Sequence, residues 1–203
     1  LQLINREVII KYLHQLLRID RRSAPLRVIG HEFPVKRSLT INVNGLEKQI
    51  ETGGRIDRLD EIFVDNDNAR LRVVDYKTGG KAAESLKCVD DMFNPKFLSK
   101  KSDYTMQAML YSLIEAKDDS EHNPNHRAVS PALLFIQHAG SDDYTSVLSI
   151  DKEEVTDVTV YEEDFLRNLT EKLEEIHNPN IAFTPTDNTD SCKYCPYRQM
   201  CGR

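Results

Sequence analysis

Gly54-Arg55-Ile56-Asp57-Arg58-Leu59-Asp60 and Val73-Val74-Asp75-Tyr76-Lys77-Thr78-Gly79, with Asp75 eighteen positions on from Asp57, read as two strands that carry charge out of apolar surroundings. Successive side chains on a strand point to opposite faces, so Asp75 and Lys77 share one face and Tyr76 takes the other. With Asp57 opposite on a neighbouring strand, two carboxylates and an ammonium converge. Carboxylate and carbonyl oxygens suit Mg²⁺ or Mn²⁺. Such a metal polarises a phosphoryl oxygen and supplies hydroxide from water, while a lysine offsets charge developing on phosphate. The competing reading is a salt-bridged strand pair, because Asp-x-Lys alone is common on exposed strands.

Working outward, Ile9, Tyr12, Leu13, Leu16 and Leu17 recur at helical spacing over residues 5–20, and Ser23-Ala24-Pro25 ends that helix. His14 lies among these leucines and is expected to pack. Val28–Val35 reads as a strand, with Pro34 marking an edge or bulge. Leu39–Val43 and Glu47–Ile50 form a hairpin at Asn44-Gly45, and Gly53-Gly54 separates it from the Arg55–Val64 strand. Asp65-Asn66-Asp67-Asn68 is a turn, and Leu71–Tyr76 a short apolar strand. Residues 81–101 are polar and irregular, a mobile loop with Lys96, Lys100 and Lys101 clustered. A helix over 102–117 follows, then a polar loop, strands at Ala132–Gln137 and Tyr144–Ile150, a Val/Thr-rich stretch of no clear type, and a helix from Tyr161 to Ile176. The order predicts one mixed α/β domain, helices against a central sheet.

The pattern Gly-x-Ile-Asp-Arg-Leu-Asp followed by Asp-Tyr-Lys-Thr-Gly closely resembles the nuclease motifs of the RecB and AddB family within the PD-(D/E)XK superfamily. Two further matches fall in the order of that family: Glu32, in Val28-Ile29-Gly30-His31-Glu32-Phe33, and Gln107-x-x-x-Tyr111 on the helix after the strands. The resemblance implies a restriction-endonuclease-like fold over residues 1–190 and catalytic roles for Asp57, Asp75, Lys77 and Glu32. It makes Asp57, Asp75 and the Tyr76 carbonyl ligands of Mg or Mn, with Lys77 orienting water and stabilising the pentavalent phosphate. Glu32 either binds a second metal or holds the hydrogen-bond network of the site. Gln107 and Tyr111, at i and i+4, lie on one helical face and either touch DNA beside the cleaved bond or pack. Arg58 reaches a phosphate or, the nearer reading, pairs with Asp60. Relatives add a metal-binding histidine on a helix upstream of the first aspartate. His14 and His31 do not suit that role, so the histidine is expected before Leu1.

Composition sets outer bounds. Charged residues make up 30% and hydrophobic ones 39% of 203 residues, ordinary for a globular chain. No apolar run reaches the roughly 20 residues of a membrane span, and no signal peptide is legible at the start. A cytoplasmic compartment is expected. The net charge of −6 argues mildly against nucleic acid, but residues 1–37 hold eight Lys/Arg against three acids, and residues 142–190 hold fourteen acids against three basic residues. Either the basic end faces phosphates or these are two solvated faces of opposite sign.

Cys192, Cys195 and Cys201 follow a C-x₂-C-x₅-C spacing, while Cys88 is remote. Close thiolates in a reducing compartment suit zinc or an iron–sulfur cluster. AddB-type relatives end in a similar triplet that holds a [4Fe–4S] cluster. The resemblance therefore implies that residues 191–203 form a tail packed on the nuclease domain, its fourth ligand upstream of Leu1 and its cluster absent from the chain as given. The chain starts with Leu and is read as a piece of a longer protein, expected to cut DNA slowly or not at all by itself. The activity implied is a Mg-dependent deoxyribonuclease, exonuclease rather than endonuclease, working with a helicase domain or subunit in DNA repair and recombination. Two rivals are a silent module that only guides DNA, and a CRISPR-associated RecB-like nuclease.

Overall fold

Why a sheet and not a bundle forms follows from the middle of the chain. A computed structural model describes residues 2–65, 68–117, 119–141, 144–186 and 189–202. After helix α1 (Gln2–Ser23), strands β1 (Leu26–Val43) and β2 (Leu46–Phe63) make a long antiparallel hairpin. Its turn is Asn44-Gly45, with φ of 53° and 82°, the left-handed pair that a tight hairpin demands and that Asn and Gly tolerate. Strand β3 (Ala69–Lys77) lies antiparallel to β2, and β4 (Val129–Phe135) runs parallel to β3. A parallel pair needs a crossover. Here it contains α2 (Asp90–Phe93), a 3₁₀ turn (Pro95–Lys100) and α3 (Ser102–Glu115). Beyond β4 come the short pair β5 (Ser149–Ile150) and β6 (Glu153–Glu154), then α4 (Glu162–His177).

The sheet order is β1-β2-β3-β4. Its interior strand β3 is covered on both sides, which explains the nearly unbroken apolar run Leu71–Val74 interrupted only by Arg72. Leu59, Leu71 and Val73 pack with Met109 and Leu113 of α3 and with Phe165 of α4. Val74, Ala132, Leu134 and Ala139 pack with Ile19 and Leu16 of α1. Burial of each such aliphatic side chain contributes roughly 1.5–3 kcal/mol, which fixes which side of β3 faces which helix. This is the expected mixed central sheet flanked by helices, a restriction-endonuclease-like arrangement with the cysteines at its C-terminal end.

Several local expectations change. The strands expected at Val28–Val35 and Leu39–Val43 are one strand, and β2 runs straight through Gly53-Gly54, because continuous pairing across the hairpin outweighs the weak strand preference of glycine. Residues 81–101 are not an irregular polar loop: Leu86, Val89 and Met92 are buried and anchor two short helical turns. The strand expected at Tyr144–Ile150 shrinks to Ser149–Ile150, the Tyr144 hydroxyl instead receiving the Phe135 N–H at 2.7 Å and donating to the Leu133 carbonyl at 3.2 Å. His14 is exposed rather than packed: α1 turns Leu16 and Ile19 to the sheet and leaves Leu13 and Leu17 outside. The turn expected at Asp65-Asn66-Asp67-Asn68 lies partly outside the described residues; at its rim the Asp65 carboxylate accepts the Asn68 N–H at 2.8 Å.

Candidate active site

The site forms where the β2–β3 ladder opens. Its last pair is Arg58 with Val74, so continued register would set Asp57 opposite Asp75. The strands part there. The Tyr76 N–H has lost its ladder partner and donates to Asp57 Oδ2 at 2.7 Å, so a carboxylate stands in for a strand carbonyl. That bond draws Asp57 to the peptide between Asp75 and Tyr76.

Asp75 is buried, 5% exposed, and Lys77 Nζ lies 2.6 Å from its Oδ2. Burial pushes the Asp75 carboxyl above its ordinary value, Lys77 pulls it back down, and the charge of Asp57 pushes it up again. Two like charges held this near one another are a donor set for a hard cation, since a divalent ion between them removes the repulsion. With the Tyr76 carbonyl they supply three oxygens, a number that suits magnesium, which keeps several waters. The residues present therefore fit Mg²⁺ or Mn²⁺.

From Lys77 a chain of contacts runs into α3. Its Nζ donates to Gln107 Oε1 at 3.1 Å, and Gln107 Nε2 donates to the Tyr111 hydroxyl at 3.1 Å. The ring of Tyr104, three residues before Gln107 and so on the same helical face, sits 4.3 Å from Lys77 Nζ. Tyr111 is buried in the larger core, and its ring lies so close to Gly54 that a Cβ there would collide with the hydroxyl. This is the physical reason for Gly54 three positions before Asp57: the helix that carries Gln107 approaches the strand backbone at that point. Sequence reasoning missed Tyr104 and the purpose of Gly54. Helical spacing from Gln107 was the signal available for Tyr104; nothing local signals Gly54.

The remaining residues fall elsewhere. Glu32 has φ of 52° and sits between His31, which pairs with Arg58, and Phe33, which pairs with Ile56, hence across from Asp57. It is exposed, and among the described residues no three His, Cys, Asp or Glu side chains gather as a metal-binding group. Arg58 is 8% exposed and lies on the α1 side of the sheet, away from Asp75. Its guanidinium bonds Asp60 twice at 2.7 Å, Asp20 at 2.7 and 3.1 Å, and the Tyr76 hydroxyl at 2.9 Å. Against the cost of burial, Asp20 and Asp60 hold it well above its ordinary pKa. Arg72 shares Asp60 at 2.7 Å.

Part of the basic N-terminal stretch is paired: Arg27 with Glu61 at 2.7 Å, Lys36 with Glu51 at 2.9 Å, and Arg37 with Glu162 at 2.8 Å. Cys88, Cys192, Cys195 and Cys201 are free thiols, and successive turns from Cys192 to Cys201 do not gather them into a cluster site. No described helix is long and apolar enough to cross a membrane.

Comparison with curated proteins finds no match. A family model, that of the PD-(D/E)XK nuclease superfamily, matches residues 1–202. With the sheet, the carboxylate pair and the lysine already placed, that match over nearly the whole length identifies the chain as a member of the PD-(D/E)XK nuclease superfamily, whose enzymes hydrolyse phosphodiesters with metal ions.

Proposed function

We propose that this chain is a Mg²⁺-dependent deoxyribonuclease, exonuclease rather than endonuclease, serving as the nuclease module of a helicase–nuclease protein in DNA repair and recombination. Residues 1–190 form the nuclease domain and residues 191–203 its cysteine-rich tail. The observation that carries the reading is the meeting of Asp57, Asp75 and Lys77 where the β2–β3 ladder opens, under the Gln107–Tyr111 face of α3.

In this reading Asp57, Asp75 and the Tyr76 carbonyl would hold the metal, which when bound would supply a lowered pKa for water and Lewis-acid polarisation of phosphate. The chain's own residues do the rest. Asp57 is oriented by the Tyr76 N–H, so its free oxygen points away from the strand backbone. Lys77 has three N–H donors. One faces Asp75 and one Gln107, which leaves one for a non-bridging oxygen as charge develops on it. Gln107 is held by the Tyr111 hydroxyl and gives the ammonium a second fixed partner beside Asp75. Arg58 takes no part in DNA contact, being committed to Asp20 and Asp60 behind the sheet. Glu32, across from Asp57 on β1, either binds a second metal or holds the hydrogen-bond network of the site. For the tail, the C-x₂-C-x₅-C spacing supports an iron–sulfur role, although the thiols are not gathered.

The test uses end-labelled linear DNA and a closed circle of the same sequence, with Mg²⁺, with Mn²⁺ and with chelator. Metal-dependent loss of the linear substrate, slow for this chain by itself and abolished by Asp57→Asn and by Asp75→Asn, with the circle intact, is the expected result. Cleavage that persists in both variants would overturn the site assignment, and a nicked circle would overturn the exonuclease assignment.

A further inference from the structure

Lys96, Lys100 and Lys101 stand together in sequence, but the structure gives them different surroundings. Lys100 lies 4.0 Å from Glu84 and 5.2 Å from the Phe97 ring. Lys96 is exposed. Lys101 turns toward the site: its Nζ is 4.9 Å from the centroid of Tyr104, the same ring that lies 4.3 Å from Lys77 Nζ. One aromatic ring thus carries two ammonium groups. Lys77 is neutralised by Asp75 at 2.6 Å, whereas among the described residues no carboxylate lies within ion-pair distance of Lys101.

Lys101 is also firmly mounted. Its φ of 62° is uncommon for a residue with a side chain, and its carbonyl receives the N–H groups of Tyr104 at 3.1 Å and Thr105 at 3.2 Å, opening α3. A cation over a half-buried ring such as Tyr104 gains about 0.5–2 kcal/mol, which does not explain bringing a second ammonium to a ring already beside one. Charge counting does. A divalent ion balances Asp57 and Asp75, leaving Lys77 and Lys101 as two positive charges. One phosphodiester offsets one of them. A nucleic-acid strand supplies the next phosphate one nucleotide along, and two ammonium groups at 4.3 and 4.9 Å from one ring centroid are spaced to take successive phosphates.

We propose that Lys101, mounted on Tyr104, binds the phosphate next to the one that is cleaved, so that Lys77 and Lys101 together grip two successive phosphates of one strand. This rests on the nuclease reading above. It makes the preferred substrate a strand with at least two phosphates, and it assigns Tyr104 as the spacer that sets the distance between the two grips.

The test is equilibrium binding of a fluorescent oligonucleotide in chelator over a salt series, so that no cleavage is needed. Lys101→Ala is compared with Lys101→Arg and with Lys48→Ala, an exposed lysine near the far hairpin turn. Loss of one phosphate contact lowers the slope of log K against log salt by about 0.9 for duplex or about 0.7 for single strands. It weakens binding by about tenfold. Lys101→Arg keeps the parent slope, and Lys48→Ala changes neither quantity. In turnover with Mg²⁺, the Lys101→Ala loss is larger in KM than in kcat and is absent on a dinucleotide without terminal phosphate, a dinucleoside monophosphate with a single phosphodiester. A Lys101→Ala slope equal to those of the parent and Lys48→Ala overturns the inference, as does an equal loss on the dinucleotide. Failure of the parent to cut any DNA refutes the nuclease reading instead and is read separately.

Discussion

Replacing Lys77 by alanine or methionine separates the two tasks its ammonium performs. Of its three donors, one is set against Asp75 and one against Gln107, and the third is free for the reacting phosphate. Losing one donor that acts only in the transition state costs about 2.7–4 kcal/mol, so the single-turnover rate falls by roughly 100-fold or more. DNA affinity falls little, because one contact is a small share of the electrostatic term. Stability responds too. From sequence, the ammonium beside apolar Val74 is a burden whose removal leaves stability unchanged or higher. The structure reverses that sign: Val74 packs on the other side of the sheet, and Lys77 is the partner of a carboxylate that is 7% exposed.

Breaking a fully buried pair costs about 3–5 kcal/mol. The lysine here is 16% exposed, so about 2 kcal/mol is expected, or roughly 4–8 °C in Tm for a domain of this size. Without Lys77 the Asp75 carboxyl is held still further above its ordinary value. A raised carboxyl favours the folded state when protonated, so the variant loses stability as pH rises from the ordinary value of 3.8 through the folded one. The gap between parent and variant is therefore small in acid and full near neutrality. The assays are rapid-quench cleavage, a binding titration at fixed salt, and Tm from pH ~4 to ~8. A rate within about threefold of the parent, with Tm lowered as described, refutes the catalytic role and leaves a lysine that only pairs.

Gly54→Ala drives a methyl group into the Tyr111 hydroxyl; calorimetry should show a loss of about 1–3 kcal/mol together with slower cleavage, and an unchanged Tm would mean the ring has room to retreat. Arg58→Ala leaves Asp20 without its guanidinium and Asp60 with Arg72 alone, for a loss of about 3 kcal/mol in chemical denaturation, while the salt slope of DNA binding stays at the parent value. A reduced slope would place Arg58 on the DNA after all. Mg²⁺ affinity, followed by titration calorimetry, should weaken as pH falls through the raised Asp75 pKa because protons compete for the same oxygens, and a pH-independent affinity would remove Asp75 from the ligand set.

The sequence by itself determined the alternation that puts Asp75 and Lys77 on one face and Tyr76 on the other, the hairpin turn at Asn44-Gly45, the helix bearing Gln107 and Tyr111, and the class of fold. Each is a short-range property: a period of two, a period of 3.6, or a turn that only Asn and Gly enter easily. The tertiary structure decided what alternation leaves open. Whether Asp57 meets Asp75 depends on the register between β2 and β3, which puts Arg58 against Val74 and opens the ladder one residue later. Arg58 was a candidate for phosphate until the position of α1 brought Asp20 to it from 38 residues away. Residues 81–101 looked polar because Leu86, Val89 and Met92, although spaced three apart, stand among charged and polar neighbours; the neighbouring α3 and α4 give them something to bury against. The approach of α3 to Gly54, and with it the ring that Lys77 and Lys101 share, is a contact across the sequence that no local pattern encodes.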